Sequence, residues 1–275
     1  MTDRSIIMIG FDRSWQRAFA RKLHAQTNGA LSLFVAQNTP QKPMVRRVAG
    51  ALRRIPPYQI PVELYCYLRT RFSSPLREAL GWTRVAKPPE TTPLETFVRT
   101  VEVSDVNGPE TVELIRQEVP YLIVIWGGTI VRPQVLELAE HVVNIHFGHN
   151  PYYRGTHCHM HAVLADDWEH IGVTIHYADP VVDAGDIIEI VQADTEQPPR
   201  NTFADLYQRS FERYLAVATA LWKDGPVADT PQDLSLGRQF FIREWNFRLP
   251  ALQAFWPKDR TKRRHLSSPI IISYC

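Results

Sequence analysis

The chain contains little cysteine, and its cysteines are not arranged for a disulfide framework or a zinc site. Among its 275 residues only Cys66, Cys158 and Cys275 are cysteines, and no two of them form a CxxC pair. Disulfide-stabilised small domains and structural zinc sites need closely spaced, paired cysteines. The cysteine content therefore argues against both classes of protein.

Long apolar runs and a strong net charge are also missing. No stretch approaches the roughly 20 apolar residues of a membrane-spanning helix, and the formal net charge is only +2 at pH 7. The N-terminal residues resemble a strand and have no signal-peptide features. We expect a cytoplasmic protein that binds neither membrane nor nucleic acid. Two basic clusters, at 46–54 and 258–264, are interpreted as solvated surface, with phosphate binding as the alternative.

The apolar segments predict an α/β fold. A strand at 5–10, an amphipathic helix at 14–26 and a strand at 31–36 form an opening βαβ unit, which favours a parallel sheet. A capping box of Thr202 and Asp205 predicts the start of a long helix that ends at Gly225. Further strands are predicted at 97–103, 121–126, 142–146, 172–177 and 187–192, and further helices at 62–71, 107–118 and from Pro133.

The same pattern predicts how the chain is divided. One large domain is expected over 1–225, with an insertion rich in Arg and Pro at about 40–93. A C-terminal extension over 226–275 is expected to hold a β-hairpin and a basic tail. The first turn contains no GxGxxG sequence, which argues against a dinucleotide-binding fingerprint.

Polar side chains that suit acyl-group chemistry stand at the ends of these strands. Asn144 and His146 end a buried strand and lie on the same side of it, because side chains alternate along a strand. Asp183 lies in the loop between the strands at 172–177 and 187–192. In open α/β sheets, ligands bind at the carboxyl ends of strands. An amide, an imidazole and a carboxylate there could stabilise an oxyanion and move a proton.

Four segments together resemble the folate-dependent formyltransferase family. They are Asn144-Ile-His146, Pro151-Tyr-Tyr-Arg154-Gly155, Gly172-Val-Thr-Ile-His176 and Val182-Asp183-Ala-Gly185-Asp-Ile-Ile188. They stand in the family's order and at similar spacing, within a match from about 107 to 192. The resemblance implies a Rossmann-like, mostly parallel twisted sheet with flanking helices. It also implies N10-formyltetrahydrofolate as co-substrate and a primary amine as formyl acceptor.

The resemblance makes Asn144, His146 and Asp183 the catalytic trio. Asn144 and His146 would stabilise the oxyanion of a tetrahedral intermediate, while Asp183 would orient a water and hold His146 in its useful protonation state. Asp186 is the weaker carboxylate candidate. The turn at 127–131 and the loop before Asp183 correspond to the backbone that holds the folate head group. Cofactor contacts are therefore expected at Gly128, Thr129, Ile130, Val131 and Val182.

Acceptor contacts are expected further along the same segments. The residues concerned are His149, Tyr153, Arg154 and His157. Arg154 is interpreted either as binding a substrate anion or as fixing its loop. The pair His149-Asn150 replaces residues that are apolar in the family, and we expect it to reshape the acceptor side. His157, His159 and His161 resemble a zinc cluster, but at helical spacing only the first and last share a face, so no metal is expected.

Two members of the family fit the chain poorly. Methionyl-tRNA formyltransferases have a sizeable C-terminal domain for tRNA, whereas only 50 residues follow Gly225 here. Glycinamide ribonucleotide formyltransferases usually have a Gly-rich phosphate loop after the first strand, which the residues after Gly10 do not resemble. We therefore expect the acceptor to be an amino sugar carried on a nucleotide.

Several alternatives stay open. Within the enzyme class they are formylation of hydroxyornithine or another small amine and hydrolysis of formyltetrahydrofolate. Outside formyltetrahydrofolate chemistry they are a metal-dependent hydrolase built on the three histidines and a non-catalytic binding module with the same fold. A homodimer formed through the aromatic C-terminal tail is a further hypothesis, which a monomeric mass in solution would remove.

Overall fold

A seven-stranded sheet forms the centre of the computed structural model, which describes residues 4–38, 50, 56–72, 94–197 and 199–244. The strands of this sheet are β1 (Ser5–Phe11), β2 (Leu31–Gln37), β3 (Arg99–Val103), β4 (Pro120–Trp126), β5 (His141–His146), β7 (Gly172–Tyr177) and β8 (Ile187–Gln192). Two short strands, β6 (Tyr153–Gly155) and β9 (Arg238–Phe240), form a separate sheet.

The strand order is β3-β2-β1-β4-β5-β7-β8. Every pair from β3 to β5 is parallel, while β7 and β8 add two antiparallel pairs at one edge. The mostly parallel α/β sheet predicted from the sequence is confirmed. Its helices are α1 (Ser14–Gln26), α2 (Ile60–Phe72), α3 (Pro109–Gln117), α4 (Pro133–Leu136), α5 (Cys158–Leu164) and α6 (Pro199–Asp224).

Helices cover both faces of the sheet. On one face, aromatic side chains of α1 and α6 pack on β4, with Phe19 stacked on Tyr214 and edge-on to Trp126. The buried Tyr214 hydroxyl lies within hydrogen-bond distance of the carbonyls of Ile125 and Val143, so this phenol is paired. Burying each such side chain stabilises the fold by about 1.5–3 kcal/mol.

The polar side chains at the end of β5 lie on the second face of the sheet. Apolar residues of α3 and α4 pack there with Val142 at the start of β5, while Val143 and Ile145 belong to the first face. Because side chains alternate along a strand, Asn144 and His146 lie on the second face. The sheet therefore presents an amide and an imidazole together at the carboxyl end of β5.

The predicted capping box is wrong. Helix α6 begins at Pro199, so Thr202 lies inside its first turn instead of at its N-cap. The Thr202 hydroxyl donates to the carbonyls of Asp194 and Gln197 at 2.9 and 3.1 Å. Asp205 binds Arg209 one turn later, at 2.7 Å. The sequence pattern of a capping box is present, but both side chains form other hydrogen bonds.

Part of the predicted insertion is described. Helix α2 confirms the helix expected at 62–71. The basic residues at 46–47 and 53–54, and the tail from 245 with the second basic cluster, lie outside the described residues. Within the described ranges, no helix is long and apolar enough to cross a membrane.

Candidate active site

The structure brings the predicted trio into direct contact. Asn144 and His146 project from β5, and Asp183 reaches them from the loop between β7 and β8. Nδ2 of Asn144 donates to Oδ1 of Asp183 at 3.3 Å. Nδ1 of His146 lies 3.2 Å from Oδ2 of the same carboxylate. One carboxylate thus touches both the amide and the imidazole.

Asp183 is held as a buried carboxylate. Burial by itself raises the pKa of Asp183, but the positive charge that His146 and His176 can carry and the N–H of Gly155 outweigh it, and the pKa falls to about 2. The Gly155 N–H donates to Oδ2 at 2.9 Å. Asp183 is therefore ionised at neutral pH, and its carboxylate binds a proton only weakly.

His146 has an acceptor oxygen next to each ring nitrogen. Nε2 lies 2.9 Å from the carbonyl oxygen of Tyr153, and Nδ1 faces Asp183. Burial lowers the pKa of His146 below 6.5, and the attraction of Asp183 only partly offsets this. A neutral ring has one N–H for two acceptors, so a second proton would find a hydrogen-bond partner already in place.

His176 completes the site, although the sequence interpretation gave it no role. The side chain is buried, and Nδ1 donates to the carbonyl of Tyr177 at 2.7 Å. In the neutral ring this leaves Nε2 as an acceptor, 3.1 Å from Nδ2 of Asn144. The pairing of His176 opposite Asn144 in the antiparallel β5–β7 register was the signal that could have found it.

Two further side chains hold the loop that carries Asp183. Nδ2 of the fully buried Asn150 donates to the backbone carbonyl of Asp183 at 2.8 Å. Nε2 of Gln232 donates to the same carbonyl at 3.2 Å and also to the carbonyl of Gly185. The sequence marked Asn150 only as a departure from the family pattern, and nothing in it marked Gln232.

The C-terminal extension contributes to the site through its backbone as well. Thr230 and Ile187 exchange two backbone hydrogen bonds of 2.8 Å, beside the Asp183 loop. Strand β9 pairs in parallel with β6, which places Phe240 opposite Gly155. Residues 230–240 therefore hold both segments that contact the trio.

The predicted cofactor loop lies after β4 and is fixed by Gln37. Its Oε1 accepts from the N–H of Thr129 at 2.7 Å, and its Nε2 donates to the Thr129 hydroxyl at 2.9 Å. Asn107 donates to the carbonyl of Ile130 at 2.9 Å. Ile130 itself is exposed, whereas Val131 is partly buried. Gln37 and Asn107 shape this loop, and sequence reasoning missed both.

The remaining predicted cofactor residues take different positions. Gly128 has a φ of +124°, and an added Cβ would lie 2.9 Å from Oε1 of Gln37. The turn therefore requires glycine at this position. Val182 is partly buried beside Asp183, in the loop between β7 and β8.

Two predicted acceptor residues, His149 and Tyr153, are packed inside the protein. The Tyr153 ring stacks on Phe240, and its hydroxyl donates to Asp167 at 2.9 Å. The His149 ring packs edge-on against His170 at 5.0 Å. Burial lowers the pKa of His149. These contacts hold the buried Tyr153 and the partly buried His149 in place.

The other two predicted acceptor residues flank Gly155. His157 begins α5 in the left-handed conformation, with a φ of 58°. Arg154 is buried, and its Nε has no hydrogen-bond partner. The two histidines that follow are used in packing: His159 lies 2.8 Å from the carbonyl of Gly172, and His161 stacks on Phe240. In the part of the chain that the structure describes, no group of three possible metal ligands is assembled.

Sequence comparison finds formyl transferases among the proteins similar to this chain. A family model described as "Formyl transferase" matches residues 78–216. A methionyl-tRNA formyltransferase from Leifsonia xyli subsp. xyli is 32% identical over 124 residues, which is 45% of this chain and 40% of that protein. The matched segment therefore spans less than half the length of that relative.

Solved structures share the fold over more of the chain. An X-ray structure of a sugar N-formyltransferase from Shewanella sp. has a TM-score of 0.57 and 14% identity, covering 91% of this chain and 87% of that one. An N-formyltransferase from Helicobacter canadensis, in complex with folinic acid and dTDP-3-aminofucose, has a TM-score of 0.54 and 12% identity, with 92% and 80% covered. At these identities the likeness concerns the fold.

Proposed function

Because the chain belongs to the formyl transferase family, we propose that it transfers the formyl group of N10-formyltetrahydrofolate to a primary amine. The contact of Asp183 with both Asn144 and His146, at 3.3 and 3.2 Å, carries this proposal. It joins an amide donor, an imidazole and an ionised carboxylate at the carboxyl end of β5. Formyl transfer needs these groups and no covalent nucleophile.

Attack of the amine on the formyl carbon forms a C–N bond and leaves a negative charge on the formyl oxygen. Asn144 supplies a side-chain donor for that oxygen. Its Nδ2 contacts His176 at 3.1 Å and Asp183 at 3.3 Å, so releasing the longer, weaker contact frees an N–H. A well-placed donor of this kind lowers the barrier by about 3–4 kcal/mol.

The attacking nitrogen must then lose a proton, and N10 must gain one as its bond to the formyl carbon breaks. With a pKa of about 2, Asp183 does not keep this proton. His146 can accept it at Nδ1, because the new N–H would point at the Asp183 carboxylate 3.2 Å away. Burial opposes the charged ring and favours passing the proton on. Asp183 thus orients His146 and stabilises the positive charge that its ring carries while it holds the proton.

The loop at 127–131 suits a folate head group. Ile130 offers an exposed apolar side chain, and the backbone amide and carbonyl of Val131 have no hydrogen-bond partner among the described residues. Gln37 and Asn107 already fix the loop's shape, so binding does not have to order it. Gly128, Thr129, Ile130, Val131 and Val182 would hold the ring system, and the folate would supply the formyl group.

For the acceptor we propose an amino sugar linked to a nucleotide. The Helicobacter canadensis neighbour contains such a molecule together with a folate, and its fold covers 92% of this chain. The sequence relatives are methionyl-tRNA formyltransferases, which supports formyl transfer but leaves the amine to be identified. Hydroxyornithine and other small amines are the alternative acceptors.

Turnover of N10-formyltetrahydrofolate against a panel of amines tests the proposal. The panel should include nucleotide-linked 3-amino and 4-amino sugars, hydroxyornithine, glycinamide ribonucleotide, methionyl-tRNA and water alone. We expect tetrahydrofolate release that depends on an amino-sugar nucleotide. Release with methionyl-tRNA or hydroxyornithine only would replace the proposed acceptor, and release with water alone would identify a hydrolase. A protein that binds no folate would contradict the function itself.

A further inference from the structure

Arg154 is a buried guanidinium without a counter-charge. Its residue is 8% exposed, its Nε has no hydrogen-bond partner, and no described carboxylate lies within ion-pair distance of it. Several more exposed arginines are paired by contrast, such as Arg213 with Glu189 at 2.6 Å and Arg238 with Glu244 at 3.1 Å. Burying a charge is unfavourable unless a partner compensates it. Among the described residues, no carboxylate compensates Arg154 in this way.

The backbone on both sides of Arg154 binds the catalytic trio. The carbonyl of Tyr153 faces Nε2 of His146 at 2.9 Å, and the N–H of Gly155 donates to Asp183 at 2.9 Å. Arg154 is therefore anchored between these two contacts, within one side-chain length of the reacting groups. Pairing of β6 with β9, in which Arg154 lies opposite Gln239, fixes its backbone further.

Strand geometry separates Arg154 from the apolar side of β6. Tyr153 points toward Phe240, with the rings stacked at 5.5 Å. Because neighbouring side chains on a strand point to opposite faces, Arg154 leaves β6 on the other face. The positive charge is thus kept out of the aromatic cluster.

The order of the strands in the sheet indicates which substrate lies nearest to Arg154. The proposed folate loop at 127–131 follows β4, whereas Arg154 follows β5, which is the next strand toward β7. The two segments therefore approach the trio from successive strands. In a nucleotide-linked amino sugar, only one sugar ring separates the reacting amine from the diphosphate.

Resting on the proposed function, we infer that Arg154 binds the phosphate of the amine acceptor and so selects acceptors that carry a phosphate near their amine. The planar guanidinium fork matches phosphate oxygens in a two-point contact. Arg154 is then a residue for acceptor recognition, and the phosphate would supply the counter-charge that no described carboxylate supplies.

Binding of dTDP, of UDP and of 5-formyltetrahydrofolate tests this inference by calorimetry on the full chain. The variants are Arg154→Met, Arg154→Lys and, as the control at an ion-paired arginine outside the site, Arg213→Met. We expect Arg154→Met to weaken binding of the preferred nucleotide by about 10- to 100-fold, the loss typical of a charged hydrogen bond. Arg154→Lys should lose less, and Arg213→Met should bind like the wild type. Folate affinity should stay the same in all four proteins.

Thermal unfolding without ligand separates binding from structure. If Arg154 serves to bind an anion, Arg154→Met should unfold at the same or a higher temperature, because the substitution removes an uncompensated buried charge. A lower Tm together with unaltered nucleotide binding would show that Arg154 only supports its loop, and would overturn the inference. So would a wild-type protein that binds neither dTDP nor UDP.

The folate itself is the other source of an anion, through its glutamate carboxylates. Comparing 5-formyltetrahydrofolate with 5-formyltetrahydropteroate, which lacks the glutamate, distinguishes the two sources. If Arg154→Met weakens the first but not the second, the anion belongs to the folate and the acceptor assignment is wrong. Failure of the wild type to bind either folate would count against the proposed function instead, whatever the nucleotide result.

Discussion

The backbone N–H of Gly155 donates to Oδ2 of Asp183 at 2.9 Å, and this bond joins the segment after β5 to the loop after β7. Gly155 has a φ of +97°, and an added Cβ would lie 2.1 Å from the carbonyl oxygen of Phe240. Only glycine allows β6 to lie between β9 and the Asp183 carboxylate. The Arg-Gly pair of the family motif therefore has a geometric reason in this chain.

Replacing the carboxylate of Asp183 should abolish most activity. Asp183→Asn keeps the side-chain size but removes the negative charge that favours a proton on His146, so we expect kcat to fall by about 10²–10⁴-fold. Steady-state kinetics with N10-formyltetrahydrofolate and the acceptor measure this. The matched control is Asp186→Asn, since Asp186 is an exposed carboxylate three residues away. Equal losses in both variants would contradict the assignment of Asp183.

Gln37 should control folate affinity without taking part in the chemistry. Gln37→Leu removes both contacts with Thr129, at 2.7 and 2.9 Å, and releases the loop at 127–131. We expect the KM for N10-formyltetrahydrofolate to rise about 3- to 30-fold, because ordering the loop would then oppose binding. The acceptor KM and kcat should change little. A loss in kcat alone would argue against a role of this loop in folate binding.

The sequence predicted the parts of this protein that depend on local patterns. Apolar runs located β4 and β5, and residue alternation placed Asn144 and His146 on one side. Contacts between distant residues were not predictable in this way. Gln37 and Thr129 are 92 residues apart, and neither belongs to a pattern that marks the other. The capping box failed because Thr202 had nearer tertiary acceptors in Asp194 and Gln197.

Asn150 and Gln232 should act as a pair. Both donate to the backbone carbonyl of Asp183, at 2.8 and 3.2 Å, so either alone can keep its loop in place. We expect Asn150→Leu and Gln232→Leu each to lower kcat about 2- to 10-fold, the effect of one hydrogen bond. The double variant should lose more than the product of the two single effects. Purely multiplicative losses would show that the two side chains act independently.

Acid should destabilise the fold through buried histidines. Burial lowers the pKa of His159 from 6.5 to about 4. Between these values the unfolded chain binds a proton that the folded protein does not, so this stability is present above pH 6.5 and is lost as the pH falls toward 4. A shift of this size corresponds to about 3 kcal/mol. Burial shifts the pKa of His146, His149 and His161 in the same direction.

The measurement is Tm against pH for the wild type and His159→Gln. Glutamine can still donate to the carbonyl of Gly172 but does not titrate, so its Tm should fall less between pH 7 and pH 5. The absolute Tm of the variant at pH 7 is not informative, because the stacking of His159 on Phe203 is also lost. Parallel curves of Tm against pH for the two proteins would show that His159 does not cause the loss of stability in acid.

Substitution of a single glycine, Gly237, should show that the C-terminal segment is necessary for catalysis. Gly237 lies so close to β6 that an added Cβ would be 2.3 Å from Cα of Tyr152 and 2.6 Å from the carbonyl oxygen of Pro151. Both are backbone atoms, so Gly237→Ala must displace β9 and with it the support of Arg154 and Gly155. We expect a loss of about 1–3 kcal/mol in unfolding free energy and a lower kcat. In Gly50→Ala the new Cβ has no neighbour within 4 Å among the residues that the structure describes, so this control should keep wild-type activity. An active Gly237→Ala enzyme would show that residues 230–240 do not position the trio.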